Sequence, residues 1–95
     1  MITAIVLVRA AVDRIPEVAE ALAAVEGVSE VYSVAGDVDL VALVRVRAHD
    51  DLAAVIPGRV NTVDGVLGTQ TLIAFQAYSR HDLEAAFSLG AATSD

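Results

Sequence analysis

The segment Val34-Ala35-Gly36-Asp37-Val38-Asp39-Leu40 separates two apolar, β-rich runs and sets the arrangement of the strands on either side. Glycine and aspartate are standard turn residues, because glycine adopts backbone angles closed to other residues and aspartate bonds to nearby backbone. This segment, here called the hinge, therefore predicts a reversal between two strands. Its two carboxylates and exposed peptide groups could equally receive a small polar ligand, so the pattern leaves both a plain turn and a binding site open.

Four strands are predicted around the hinge, since four stretches are rich in β-favouring residues and lack helical spacing. They cover residues 4–10, 28–34, 40–47 and 66–78. The last one would be about 40 Å long at roughly 3.3 Å per residue, so we expect it to run past its own sheet and pair with a neighbour.

Two helices are predicted between the strands. The first carries an apolar stripe at three- and four-residue spacing, formed by Ile15, Val18, Leu22 and Val25. Asp13 is expected to cap its start, and Gly27 is expected to end it. Asp50 is expected to cap the second helix. That helix is expected to kink or split at Pro57, since proline inside a helix costs about 3 kcal/mol.

The predicted order is β-α-β-β-α-β, and it contains a faint repeat. Glu26-Gly27-Val28 and Asp64-Gly65-Val66 each follow a helix, with a glycine suited to a left-handed turn and a valine that starts a strand. Right-handed crossovers place both helices on one face of a four-stranded antiparallel sheet. This is an α+β, ferredoxin-like fold over residues 1–79, and residues 80–95 are predicted to form a C-terminal helical extension and tail.

The sheet face away from the helices is predicted to be apolar as well. On the first strand, Ile5 and Leu7 point one way while Val6 and Val8 point the other. A large apolar surface on a soluble domain marks an interface, so we expect a homodimer formed sheet to sheet, a dimeric α+β barrel.

Composition narrows the classes of function. The chain has 95 residues, no cysteine and a formal net charge of −7, and all six of its basic residues are arginine. Phosphate backbones repel such a surface, and Arg45 and Arg47 are its closest basic pair, so direct nucleic-acid binding is not expected. Apolar runs such as residues 40–44 are far shorter than the roughly 18 residues of a membrane span. We expect a cytoplasmic protein with no metal and no cofactor.

Taken together, these motifs resemble a known family. Gly27-Val28, the hinge, and Asp64-Gly65-Val66 followed by Thr69-x-Thr71 look like the Lrp/AsnC ligand-binding domain, also called the RAM domain. The resemblance runs from the first strand to about Tyr78. It implies a ferredoxin-like dimer that assembles into a higher oligomer and binds a small-molecule effector, commonly an amino acid, between dimers. Full members add a helix-turn-helix domain, whereas this chain starts at the first strand. We therefore expect a stand-alone sensor that acts through a DNA-binding Lrp/AsnC paralogue or by sequestering effector.

The resemblance places the ligand at the hinge. Gly36 and Asp39 match the family's glycine and acid, and Asp37 and Val38 fill the positions between them, with Ala35 beside them. Chemically, backbone N–H groups could receive an α-carboxylate, and Asp37 or Asp39 an α-ammonium. Further candidates are Tyr32, Thr69 and Thr71. An ordinary turn and ordinary strand residues remain the competing interpretation of all eight positions.

An enzyme of the dimeric α+β-barrel type, such as a small monooxygenase, is the alternative hypothesis, and a purely structural oligomerisation module is the third. Such an enzyme would need a His, Asn or Trp set in its cleft, and this chain has no tryptophan and one asparagine, Asn61. His49 and His81 lie outside the predicted strands and show no metal-ligand spacing. Ser79, His81 and Asp82 are too close in sequence for a catalytic triad. No catalytic residue is therefore predicted.

Overall fold

A computed structural model describes residues 1–78 and Arg80. The strands are β1 (Ile2–Ala10), β2 (Val28–Ser33), β3 (Leu40–Val46) and β4 (Val66–Ala74), and the helices are α1 (Ile15–Ala23) and α2 (His49–Val55). A 3₁₀ turn, Val12–Arg14, precedes α1, and a π-helical turn, Ile56–Val60, follows α2. The predicted β-α-β-β-α-β order is confirmed. The predicted C-terminal helix through Leu83, Ala86 and Phe87 lies outside the described residues.

The four strands form one antiparallel sheet in the order β2-β3-β1-β4. On β1, Ala4, Val6 and Val8 are fully buried, and they pair in register with buried residues of β3. Val18 and Leu22 of α1 and Leu52 and Val55 of α2 join the same core. Both helices therefore cover one face of the sheet, which confirms the ferredoxin-like fold.

The acid-Gly-Val repeat corresponds to two similar turns. Gly27 and Gly65 have φ angles of +100° and +98°, and in both turns the following valine donates its N–H to a valine carbonyl three residues earlier. A Cβ on Gly65 would stand 2.7 Å from a Val18 methyl group, so both the backbone angle and the packing require glycine there. Gly27 lies beyond the end of α1 at Ala23, so it closes the turn into β2 instead of ending the helix directly.

Both predicted helix caps are wrong in detail. Asp13 lies inside the 3₁₀ turn. Neither that turn nor α1 has a side-chain cap at its start. At α2 the capping acid is Asp51, not Asp50, because the Asp51 Oδ2 accepts the Ala48 N–H at 3.2 Å. That contact is the return half of a capping box, in which the third helical residue reaches back to the backbone that precedes the helix.

The break at Pro57 is confirmed. Proline has no N–H to donate to the preceding turn, and α2 ends at Val55. The chain continues in a wider turn, in which the Asn61 N–H donates to the Ile56 carbonyl at 2.8 Å. The five-residue span of that bond is the signature of a π turn. Ile56 and Val60 stay buried, so the break keeps the apolar side of this segment on the sheet.

The last strand is shorter than predicted. β4 ends at Ala74, which pairs with Thr3, the second residue of the neighbouring strand β1. Nine residues span about 30 Å at roughly 3.3 Å each, so the strand does not run past its sheet. Phe75, predicted to lie within the strand, follows it with a side chain that is 99% exposed.

The sheet face opposite the helices, here called the open face, is covered by no other element of the described chain. The register places Ile5, Leu43 and Leu72 in one row across it, and Leu7, Val41 and Gln70 in the next. Its centre is therefore apolar, as predicted. Among the described helices, none is long and apolar enough to cross a membrane.

Candidate functional site

The hinge is an exposed loop at the end of the β2–β3 hairpin. Its base is closed by the Val34 N–H, which donates to the Asp39 carbonyl at 3.1 Å. Gly36 at the tip has a φ of +145°, an angle that residues with a side chain rarely adopt. Apart from Gly36 and its two chain neighbours, no heavy atom of the described residues lies within 4 Å of the position that a Cβ would take, so the requirement for glycine comes from the backbone.

Asp39 ties the hinge to the neighbouring strand. Its Oδ2 accepts the backbone N–H of Ala10 at 2.9 Å, and its own N–H donates to the Val8 carbonyl at 2.9 Å. These bonds extend the pairing of β1 with β3 beyond Leu40, next to the register shift that the β1–β4 pairing shows between Arg9 and Ala10. Asp39 is therefore already engaged in holding the fold, although its second carboxylate oxygen has no protein partner within the described residues.

Asp37 has the opposite character. Its side chain is exposed, and no described residue pairs with it. The backbone N–H groups of Ala35, Gly36, Asp37 and Val38 likewise make no hydrogen bond to the described part of the chain. The hinge thus presents one free carboxylate beside a run of free N–H donors, which suits a ligand that carries both an ammonium and a carboxylate.

Tyr32 lies on the open face, and its hydroxyl is engaged away from the hinge. It donates a hydrogen bond to the Glu30 carboxylate, which also accepts from Arg45 at 3.2 Å. The Tyr32 hydroxyl, and after it Arg45, lower the pKa of Glu30, while the Glu30 carboxylate raises the pKa of Tyr32. Glu30 lies two residues before Tyr32 on β2, toward the start of that strand and farther from the hinge.

Thr69 and Thr71 share one face of β4, as predicted, but it is the helix-covered face. They pair with the buried residues Val8 and Val6 of β1. The Thr69 Oγ1 donates to the Asn61 Oδ1 at 2.7 Å, which ties β4 to the end of the π turn. Because β1 lies between β3 and β4, Thr69 is about 10 Å from Leu40 across the sheet. A single chain therefore does not bring these threonines to the hinge.

Three surface cavities lie elsewhere on the described chain. One of about 450 Å³ lies between the α1–β2 turn, the end of β3 and α2, and includes Arg47 and Arg59 in its lining. One of about 480 Å³ lies on the open face beside Phe75, and one of about 210 Å³ lies beside Asn61 and Thr69. The sequence pointed to Arg45 and Arg47 only as a basic pair on a strand. It gave no signal that Arg59, on the following π turn, joins them. Within residues 1–78 and Arg80, no three His, Asp or Glu side chains are grouped so that they could hold a metal ion.

Comparison with protein families gives one match. A model of the Lrp/AsnC ligand binding domain matches residues 3–83. No curated protein sequence matches the chain.

Several solved structures resemble the chain over most of its length. TTHA0845 from Thermus thermophilus is 46% identical with a TM-score of 0.79, and the match covers 84% of this chain and 100% of that protein. Hypothetical protein PHS023 from Pyrococcus horikoshii is 32% identical with a TM-score of 0.74, covering 85% and 98%.

A third structure contains a ligand. The feast or famine regulatory protein Rv3291c from M. tuberculosis, complexed with L-methionine, is 29% identical with a TM-score of 0.66. The match covers 84% of this chain and 54% of that regulator, so the chain spans about half of its length.

Proposed function

This chain belongs to the Lrp/AsnC ligand-binding domain family, and from that premise we propose that it is an oligomeric amino-acid-sensing module. The effector binds at the hinge, in a site completed by a second subunit. The role is regulatory: the assembly transmits the presence of effector to a DNA-binding member of the same family. A cytoplasmic location stays part of this proposal.

The free polar groups at the hinge carry the proposal. An amino acid presents an α-carboxylate and an α-ammonium on the same carbon atom, and the hinge offers four free N–H donors next to one free carboxylate. We assign the ammonium to Asp37, because the Asp39 carboxylate already accepts the Ala10 N–H. The N–H groups of Ala35 to Val38 receive the carboxylate, and Gly36 allows its close approach.

The hinge by itself is too open to hold a small ligand. Apart from its two chain neighbours, no described residue lies within 4 Å of the Cβ position of Gly36, so residues 1–78 leave the tip of the loop uncovered. Ligand sites bury most of the ligand's surface, so a second subunit has to supply the remaining walls. The apolar open face gives the chain a reason to dimerise, and further association of dimers would bring a neighbour to the hinge.

The regulatory role is favoured over the enzyme alternative. The M. tuberculosis relative that is complexed with L-methionine is named as a regulatory protein. In the described chain, the one asparagine, Asn61, bonds to Thr69, and His49 is the first residue of α2 at the surface. Neither side chain lies at the hinge. Turnover of a substrate by the purified protein would reverse this preference.

Calorimetric titration of the full chain with the twenty amino acids tests the proposal. L-methionine is the first probe, because it is the ligand of the M. tuberculosis relative. We expect saturable binding of at least one amino acid, weakened about tenfold or more by Asp37→Asn, since a hydrogen bond to a charged group contributes about 1.5–3 kcal/mol. Asp50→Asn is the matched control, an exposed acid at the far end of the sheet, and should leave binding unchanged.

Two results would contradict the proposal. One is the absence of binding by every amino acid at millimolar concentration. The other is binding that Asp37→Asn leaves at the affinity of the unaltered chain, which would place the ligand away from the hinge.

A further inference from the structure

The 450 Å³ cavity at the far end of the sheet from the hinge gathers half of the arginines of this acidic chain. Arg45, Arg47 and Arg59 line it, together with the acids Glu26 and Asp51. β3 runs from the hinge at Leu40 to this cavity at Val46, which separates the two places by about 20 Å at roughly 3.3 Å per residue. The volume falls within the usual range for small-molecule sites, roughly 300–1,000 Å³. We call it the arginine cavity.

The charges around the arginine cavity are not paired with one another. Arg47 and Arg59 make no ion pair or side-chain hydrogen bond with any described residue, and neither does Glu26. The Arg45 guanidinium is already bound to Ser29 and Glu30. Arg47, Arg59 and Glu26 therefore line a single cavity without forming an ion pair with one another.

The floor of the arginine cavity is apolar. Val46 and Val55 contribute buried side chains, Ala54 lies beside them, and Gly27 adds only backbone. A Cβ on Gly27 would approach a Val55 methyl group at 2.9 Å, so this part of the floor is closely packed. One carboxylate oxygen of Asp51 is already occupied, because it accepts the Ala48 N–H.

From this arrangement we propose that the arginine cavity binds an amino-acid zwitterion with an apolar side chain, as a second site that is independent of the hinge. Arg47 and Arg59 receive the carboxylate, since guanidinium is suited to hydrogen-bond both carboxylate oxygens. Glu26 receives the ammonium, and the side chain lies on Val46 and Val55. A phosphate-bearing ligand fits less well, because Glu26 and Asp51 would repel its negative charge.

The test uses the full ¹⁵N-labelled chain and three related probes, followed through amide chemical shifts. L-norleucine carries both charged groups, hexanoate lacks the ammonium, and pentylamine lacks the carboxylate. We expect L-norleucine to shift the amides of Gly27, Arg47 and Arg59 saturably, and each truncated probe to bind at least about tenfold more weakly. The amides of residues 35–38 report the hinge in the same spectra, so failure at one site is distinguishable from failure at the other.

Variants assign the individual contacts. Arg47→Gln and Arg59→Gln should each weaken L-norleucine at least about tenfold, whereas the matched control Arg9→Gln, an exposed arginine near the hinge end of β1, should not. Glu26→Gln should weaken L-norleucine but leave hexanoate unchanged, because only the zwitterion uses that carboxylate. Asp37→Asn should leave the arginine cavity unaffected.

Three results would overturn the proposal. One is the absence of saturable shifts at the cavity amides up to the solubility limit of L-norleucine. A second is equal binding of hexanoate, which would make the cavity a plain anion site. The third is unaltered L-norleucine binding in both arginine variants while their spectra show a native fold.

Discussion

At the scale of single residues, the two acids of the hinge differ in what they contact. Asp39 holds the Ala10 N–H and so joins the hinge to β1, while Asp37 contacts no described residue. The sequence marks both as candidates for the same ammonium, because their side chains are chemically identical. Only the hydrogen bond to Ala10, 29 residues away along the chain, shows that Asp39 has a structural role while the Asp37 carboxylate is unpaired within the described residues.

This difference predicts unequal effects on stability. Asp39→Ala should lower the free energy of unfolding by about 1–3 kcal/mol, because it leaves the part-buried Ala10 N–H without its acceptor. Asp37→Ala should change it by no more than about 0.5 kcal/mol, as is usual for an exposed residue without contacts. Urea denaturation at one fixed protein concentration measures both. Equal losses in the two variants would contradict the assignment.

The Glu30–Tyr32–Arg45 cluster predicts a dependence on pH. The pKa of Glu30 is lowered from its ordinary value of 4.5, first by the Tyr32 hydroxyl. Since the folded pKa lies below the unfolded one, the associated stabilisation is present above about pH 4.5 and is lost as the pH falls through the lowered value. Tyr32→Phe should therefore raise the pKa of Glu30. A carboxyl-carbon NMR titration measures it, and an unchanged pKa in the variant would show that Arg45 alone lowers it.

At the scale of secondary-structure elements, Pro57 decides the path of the second helical segment. The sequence predicts a break there because the chemistry of proline is local. It does not predict that the chain would continue as a π turn with Ile56 and Val60 buried, because that depends on the sheet beneath. The helix caps were missed for a similar reason: Asp50 and Asp51 are adjacent, and only the backbone path decides which one reaches Ala48.

The glycine beside Pro57 predicts a stabilising substitution. A Cβ on Gly58 would meet only the Ala53 carbonyl oxygen, at 3.9 Å, and its φ is open to other residues. Gly58→Ala should therefore raise the free energy of unfolding by about 0.4–1 kcal/mol, by reducing the conformational entropy of the unfolded chain.

Gly65→Ala is the contrasting substitution. It should destabilise the fold by more than about 1 kcal/mol, because its φ is +98° and a Cβ would stand 2.7 Å from Val18. Thermal denaturation of the two variants side by side gives the comparison. A lower stability of Gly58→Ala would mean that the π turn needs the freedom of glycine.

At the scale of the whole molecule, the open face is an apolar surface that no element of the described chain covers. Ile5, Leu43 and Leu72 lie in a row across it, bordered by Tyr32 and Arg45 at the edge. The sequence predicts this surface directly. Successive side chains of a strand point to opposite faces, and the strands carry apolar residues at successive positions, so both faces are apolar. The proposed partner of the open face is a second copy of the chain.

A charge at the centre of this face should separate the copies. Ile5→Glu places a carboxylate on the central strand β1, and burying it without a partner would cost several kcal/mol. Sedimentation velocity should show a lower mass for this variant at a concentration where the unaltered chain is dimeric or larger. Ala21→Glu, on the exposed side of α1, is the matched control and should leave the mass unchanged. An unchanged mass for Ile5→Glu would move the subunit contact away from the open face.

The sequence by itself determined the order of the elements, the turns at Gly27 and Gly65, the break at Pro57 and the two apolar faces of the sheet. These features depend on backbone preferences and on the spacing of residues that are close in sequence, so short stretches of the chain encode them. The tertiary structure decided that β4 stops at Ala74, which pairs with Thr3 near the start of β1. It also decided the surroundings of the polar residues: Asp39 is engaged while Asp37 is free, Thr69 bonds to Asn61, and Arg47 and Arg59 line one cavity. Those relations join residues distant in sequence, so they depend on strand register and on the path of the turns, which no local pattern encodes.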